Sequence, residues 1–543
     1  MSERQQKWLY LIPFALVLCA LLPFLNKAYT IDDTLFLLQA QQAIKDPLHP
    51  TAFDVVWDKN VWMRCSAIMP SGPVMAFLLI PAILLDGAEW IAHAVQLAVL
   101  CLGLVGCLRL ARTLGFSRAE ASFAVTMIAV SPCVLGMAST AMPDVPSMAF
   151  GAFGLDFFLR WHRDRRADYF LGAVLFLAAS ALSRPHAGAV LGVAFLAAAA
   201  YDPGAPLFKR LRWRWPEIVP LLIVAILVVS YGFLFKDPAG AGGTLASSTK
   251  SLSGWTQPER HFVSFLAHWA FTTPVMLLLV VAVPSRIDWR LVTFSILPLA
   301  TLIVGIQYEE QAWVAIPTAV ALAGLVFLLR KNPGLLTSHY LALASALLLP
   351  LPLVIYVHLP AKYLLTSIPA GAMLVTAHWR AVSNRSHVRR AVAILCLGIY
   401  FSLGTLVIRG DEAFAQLGRR AAAELIAPLV KQGHRVWFAG HWGFQWYAMR
   451  AGGQPLTLDA GPAPRDYVVG GSWQYDGGPV AEKFPNKVLI DRLHDTVFWG
   501  HVMKADLGAG FYSNWWGLLP WAYGRRPVEE FTRWQFLYGA SDP

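Results

Sequence analysis

Apolar runs of about 16 to 22 residues recur through the first 410 positions, each closed by a short polar turn. A helix of about 20 residues crosses a hydrocarbon core of about 30 Å, so the pattern predicts a polytopic α-helical membrane protein. Thirteen spans are expected, at 8–25, 89–108, 119–138, 145–160, 169–183, 186–201, 217–235, 262–283, 289–306, 311–329, 339–357, 363–378 and 390–408. The first follows a short basic tail (Arg4, Lys7) and precedes no small-residue cleavage site, so it reads as an uncleaved helix. Beyond residue 410 the pattern changes: charges mix and apolar runs shorten. Ala413–Lys431 reads as a helix, His434–Gly440 as a strand, Phe444–Arg450 as a short helix and Tyr467–Gly471 as another strand. That alternation predicts a small α/β domain. The chain thus divides into a transmembrane unit, 1–409, and a soluble unit, 410–543.

Basic residues orient the membrane part. With the N-terminus inside, the inner tail and turns carry 21 Lys+Arg, and the outer loops before residue 409 carry nine over a greater length. This is the positive-inside asymmetry of a plasma (inner) membrane protein. Ser71–Leu85 is apolar, but a crossing there would turn every later basic loop outward. It is therefore read as a re-entrant or interfacial helix. The first outer loop, 26–88, then holds two such helices (32–45 and 71–85) and roofs a cavity at the outer face. An odd number of spans puts residues 410–543 outside.

Composition agrees: only 14% of the 543 residues are charged, against roughly 25% in soluble domains, and the mean hydropathy is +0.51. The net charge of +11 does not indicate nucleic acid, because residues 411–543 hold 13 basic and 13 acidic residues and the excess lies in the membrane part. Six cysteines without a CxxC give neither a disulfide framework nor a zinc site. Nine of the 21 tryptophans fall after residue 410, where they serve a domain resting on the headgroup layer or stack on sugar faces. Ala239–Gly254 is the expected flexible loop.

Ionisable residues inside spans are few. Asp156 and His268 are the main ones, and neither has an evident intramembrane partner, unlike the polar path of a proton-coupled transporter. Polar groups stand instead at outer span ends. Asp32 and Asp33 follow span one, where helix capping is the simpler role. Asp144 lies in the outer turn before span four. Arg184, beside His186, lies in the turn after span five and suits phosphate binding or snorkelling. Lys362-Tyr363 opens span twelve as an interfacial anchor or as a phosphate ligand with an aromatic wall. Arg64, Lys236, Arg260 and His261 are further outer-loop candidates.

This order resembles the GT-C class of membrane glycosyltransferases, in the branch of protein O-mannosyltransferases and lipid A aminoarabinose transferases. The matching elements are the acidic pair Asp32-Asp33 before an amphipathic helix, Asp144 before span four, Arg184-Pro185 after span five, and Lys362-Tyr363-Leu364-Leu365 opening a late span. Two departures set the chain apart from the aminoarabinose transferases: Leu35 stands where they have a basic residue, and Met69-Pro70 where they have Lys-Pro. Arg64 is the candidate replacement.

The resemblance implies inverting transfer of a sugar from a polyprenyl-phosphate donor to a lipid, glycan or protein hydroxyl. It implies Asp32 as base, Asp33 or Asp144 orienting the acceptor, and Arg184, Lys362, Tyr363, Arg64 and His261 around the donor phosphate. No cofactor is predicted; a divalent metal is possible in the superfamily, without a clear ligand set here. A flippase of lipid-linked sugars and a surface-glycan polymerase or ligase remain alternatives.

Overall fold

The computed structural model describes residues 8–57, 60–69, 72–184, 215–234, 237, 258–272, 358–382, 387–457, 459–472, 487–497 and 500–537. The spans expected at 186–201, 289–306, 311–329 and 339–357, with His186, Lys236 and the loop 239–254, lie outside the described residues.

The membrane part is helical. Helix α1 (Ile12–Leu21) leads into the first loop, where α2 (Asp33–Lys45) packs on α3 (Val74–Leu84). Helix α3 has 11 residues, a length of about 17 Å, well short of a membrane crossing. A small hairpin, β1 (Asp54–Val56) antiparallel to β2 (Trp62–Arg64), lies between α2 and α3. Helix α4 (Glu89–Thr113) is long and apolar enough to span, with Glu89 in its first turn and Arg112 in its last, both favourable to the helix dipole. The expected third span is two helices, α5 (Arg118–Ala129) and α6 (Pro132–Ala138), bent by 61° at a break before Pro132. Proline removes a backbone donor and clashes with the preceding turn, which breaks the helix there.

Helix α7 (Asp144–Asp164) then packs tightly between α4 and α8 (Ala167–Ser183). Glycine makes that closeness possible: a Cβ on Gly103 would stand 2.8 Å from the Ala149 Cβ, and one on Gly154 would stand 2.8 Å from Leu177. Helices α9 (Trp215–Leu234), α10 (Pro258–Thr272) and α11 (Ile368–Val382) follow, the last preceded by a 3-10 turn over Ala361–Ser367. Two described helices are long and apolar enough to cross a membrane, or three if the bent pair is one span.

Helix α12 (His387–Ala421) does not stop at the expected end of span thirteen. Through a π-helical turn (Ala422–Ile426) it continues to Lys431, so the separate helix expected at 413–431 is the distal part of one continuous helix. The boundary drawn at 409/410 falls within it. The reason is packing: Leu417, Ala421 and Leu425 leave the membrane part and become core of the C-terminal domain, against Phe438, Phe444, Val469 and Phe531. That domain is a five-stranded mixed sheet ordered β4 (Gln454–Pro455), β3 (Val436–Ala439), β5 (Tyr467–Gly471), β9 (Arg526–Phe536), β6 (Lys487–Val497). Strand β3 runs parallel to β4 and β5, and β9 runs antiparallel to β5 and β6; the short strands β7 (Met503–Lys504) and β8 (Ala509–Gly510) pair antiparallel with each other. The helix α13 (Trp442–Arg450) follows β3.

The domain is fastened to the loop that carries Asp32. Gln445 Nε2 donates to Val56 O at 2.9 Å, the Tyr447 hydroxyl to Glu89 at 2.9 Å, and the Thr34 hydroxyl to Trp442 O at 2.6 Å. It also grips the segment before α11: Ala361 N donates to Phe511 O and Leu359 N to Asn514 Oδ1, each at 2.8 Å. The sheet domain, the first loop and the Lys362 turn therefore share one face.

Candidate active site

Four charged residues from four separate segments meet beneath that face. Asp32 ends the strained turn after span one: Ile31, just before it, has φ 39°, a conformation that a β-branched residue rarely adopts. Asp32 occupies the N-cap position of α2, but its side chain makes no capping bond. It accepts instead from Lys362 Nζ at 2.7 Å. The capping role is thus replaced by an ion pair between residues 330 positions apart. Close by, Arg184 at the end of α8 grips Asp144 at the start of α7 through two parallel hydrogen bonds, of 3.1 and 3.0 Å. The Arg184 guanidinium also lies 5.9 Å from the centre of the Phe36 ring.

The two pairs belong to one electrostatic unit. Burial raises Asp32, but the Lys362 ammonium, with Arg184 behind it, more than offsets this and holds the carboxyl below the usual range. His358 is pushed down to about 3 by burial first and by Lys362 second, so it is a neutral imidazole at physiological pH. It stacks on Tyr363, with ring centres 6.1 Å apart. His261, buried on α10, is close enough to influence His358.

The three candidate acids differ sharply in access. The Asp32 side chain is 18% exposed, and its second oxygen has no partner among the bonds described. Asp144 is 3% exposed, with both oxygens on Arg184. Asp33 is fully buried and accepts the backbone N–H groups of Thr30 at 2.9 Å and Ala141 at 2.8 Å, tying the first loop to the turn before α7. Burial pushes Asp33 up to about 7, with Asp411 adding to the rise and Lys27 opposing it.

Lys27 and Asp411 were not evident from sequence, yet they form a second ion pair at 2.7 Å, with side chains 0% and 1% exposed. Lys27 Nζ also donates to Ser139 O at 2.8 Å, and the Thr30 hydroxyl donates to Asp411 at 3.2 Å. Asp411 follows the last span, so the rule that singles out acids at outer span ends would have found it. Arg64 is not brought to Asp32. It is held by Asp237 at 2.5 and 2.9 Å and by Asp54 at 3.3 Å.

At the other end of α4 and α7, Asp156 is buried but well partnered, contrary to the expectation from sequence. It accepts from Arg109 and Arg160 at 2.9 Å and from the Thr113 hydroxyl. The arginines come from the basic turns read as inner, so Asp156 joins that end of the bundle. His268 is buried without a hydrogen-bond partner among the described residues. No three His, Cys, Asp or Glu side chains among the described residues are placed to hold a metal ion.

The helical bundle thus carries an acid–cation cluster at one end, beneath a sheet domain. Residues 71–232 match the family model described as dolichyl-phosphate-mannose-protein mannosyltransferase, which bears out the likeness to GT-C membrane glycosyltransferases seen in the sequence. No curated protein sequence gives a significant match. Among solved structures, the chain is similar to ArnT from Cupriavidus metallidurans bound to undecaprenyl phosphate (14% identity, TM-score 0.46, all of both chains covered). It is also similar to the Archaeoglobus fulgidus oligosaccharyltransferase tethered to an acceptor peptide (12%, TM-score 0.41, covering 86% of this chain and 65% of that one). A third is the arabinofuranosyltransferase AftD from Mycobacteria (15%, TM-score 0.39, covering 99% of this chain and 42% of that one).

Proposed function

We propose that the protein is an integral-membrane glycosyltransferase that moves a sugar from a polyprenyl-phosphate donor to an acceptor hydroxyl at the outer face, with inversion. The observation that carries this reading is the pairing of one accessible carboxylate, Asp32, with a buried ammonium, Lys362, beside Arg184. The acceptor oxygen attacks C1 of the sugar, and its proton passes to Asp32. The C1–O bond to the phosphate breaks, and its electron pair leaves on the lipid phosphate, which gains one negative charge. Cations already fixed in place stabilise that charge without reorganisation. Donor phosphate competes with Asp32 for Lys362, so donor binding frees the carboxylate to act as base. Asp144 orients Arg184, and Asp33 holds the loop that presents Asp32.

Arg184→Ala and Lys362→Ala are each expected to weaken donor use by about 10- to 100-fold, since charge-assisted hydrogen bonds contribute roughly 1.5–3 kcal/mol. The assay offers purified full-length protein a set of polyprenyl-phosphate sugars. Wild-type turnover in both variants would remove the phosphate role.

The full reading also has thirteen spans, a cytoplasmic N-terminus and an extracytoplasmic domain at 410–543. The short α3 and the domain's seat on the first loop support it. A reporter fused at Gly87 is expected to report the outer side. A cytoplasmic signal there would overturn the orientation and the side on which Asp32 works.

A further inference from the structure

Around Asp32 the contacts form a ring that is charged on one side and aromatic on the other. Lys362 holds Asp32, Tyr363 follows it, and His358 stacks on Tyr363. Trp515, from the C-terminal domain, meets His358 edge-on with ring centres 5.2 Å apart. Its neighbour Trp516 meets Trp442 at 5.9 Å, and Trp442 O accepts from Thr34, two residues after Asp32. Trp442 has φ 62°, an unfavourable conformation for a large side chain that the Thr34 bond helps to fix. Trp515 is 61% exposed although the loop bearing it is anchored in the core by Asn514, itself 1% exposed. Asn514 Oδ1 accepts from Leu359 N at 2.8 Å, and its Nδ2 has no hydrogen-bond partner among the described residues.

We propose that this rim is the acceptor subsite, that Trp515 is its stacking platform, and that the acceptor it takes is a saccharide: a glycan or the sugar headgroup of a glycolipid. The inference deepens the glycosyl-transfer reading and rests on it. The donor phosphate belongs with Lys362 and Arg184, the cations beside Asp32. The aromatic rim comes from the C-terminal domain and reaches the Lys362-Tyr363 turn through His358, and its exposed indole is open to an arriving acceptor. A sugar ring has an apolar C–H face that lies flat on an indole, and a hydroxylated edge that needs polar partners. An exposed indole beside the His358 imidazole offers both. A hydroxyl of an extended peptide offers no such face.

The test uses the full-length protein in lipid nanodiscs without donor, titrated with maltose, lactose or a Ser/Thr-containing peptide and read by saturation-transfer NMR. Transfer to sugar ring protons is expected for wild type and Trp515→Phe, and its loss for Trp515→Ala. Equal signals in Trp515→Ala and wild type, or a signal from the peptide and from neither sugar, would overturn the proposal; a tryptophan resting only on lipid gives the same equality. With donor present, Trp515→Ala is expected to raise acceptor KM about three- to tenfold, the range of one aromatic contact, with donor KM unchanged. A rise in donor KM alone would move Trp515 to the donor side and sink the assignment. Sugar binding that depends on Trp515 while Asp32→Asn stays fully active would instead overturn the transfer reading alone.

Discussion

Asp32→Asn is expected to lower sugar transfer by about 10²- to 10⁴-fold, the usual contribution of a general base, with little loss of folding. The substitution keeps size and one hydrogen-bond acceptor for Lys362, and the Asp32 side chain makes no capping bond to lose. Asp33→Asn and Asp144→Asn belong in the same assay. They disturb two backbone bonds and a bidentate arginine pair, so their defect is expected to appear in the amount of folded protein as well as in rate. The pH profile adds a readout that a structural role would not move. Lys362 holds the Asp32 carboxyl below its ordinary range, so Asp32 stays ionised well into acid. Removing the ammonium leaves burial to raise it, and the acid limb of the rate profile in Lys362→Ala is expected to shift to higher pH. An unshifted limb together with a fully active Asp32→Asn would leave the proposed reaction without its base.

Lys27→Met is expected to destabilise the protein by about 3–5 kcal/mol, the cost of leaving a buried charge without its partner. Lys27 is the cation between Asp33 and Asp411, and all three are essentially inaccessible to water. Without it Asp411 keeps neutral partners such as the Thr30 hydroxyl but no cation at its carboxylate, and the opposition that limits the rise of Asp33 disappears. A protonated Asp33 accepts less strongly from Thr30 and Ala141, so the loop bearing Asp32 loosens. The double variant Lys27→Met/Asp411→Asn removes both charges and is expected to recover most of the loss. The check is the thermal unfolding midpoint in detergent for the two single variants and the double. A single variant as stable as wild type, or a double variant as weak as the worse single one, would show that the pair does not fasten the membrane part to the domain above it.

Hydrophobic periodicity and charge were enough to read a helical membrane protein with a sheet domain after it, because both patterns are local. The short α3 was legible for the same reason: crossing at 71–85 would have reversed every basic loop. The candidates Asp32, Asp144, Arg184 and Lys362 were legible because each stands at a span end, and span ends of one side must share a face. Strands β6 and β9 were missed. Charged residues in both break the apolar runs by which a strand is recognised, and β6 is in addition the exposed edge of the sheet.

Sequence alone therefore determined the medium the chain folds in, the end of the bundle at which its polar groups gather, and the residues worth comparing. It could not choose among the acids. Capping, base and anchor are the same residue type at the same kind of position, and only partners distant in the chain separate them. The tertiary structure gave Asp32 to Lys362, Asp144 to Arg184, Asp33 to backbone donors and Asp156 to two arginines. It also ran one helix from the membrane into the sheet domain, because the same helix face is apolar in both. The reason for the division is range: hydrophobic burial is written in local periodicity, whereas a carboxylate's role depends on which cation the fold brings within about 3 Å of it.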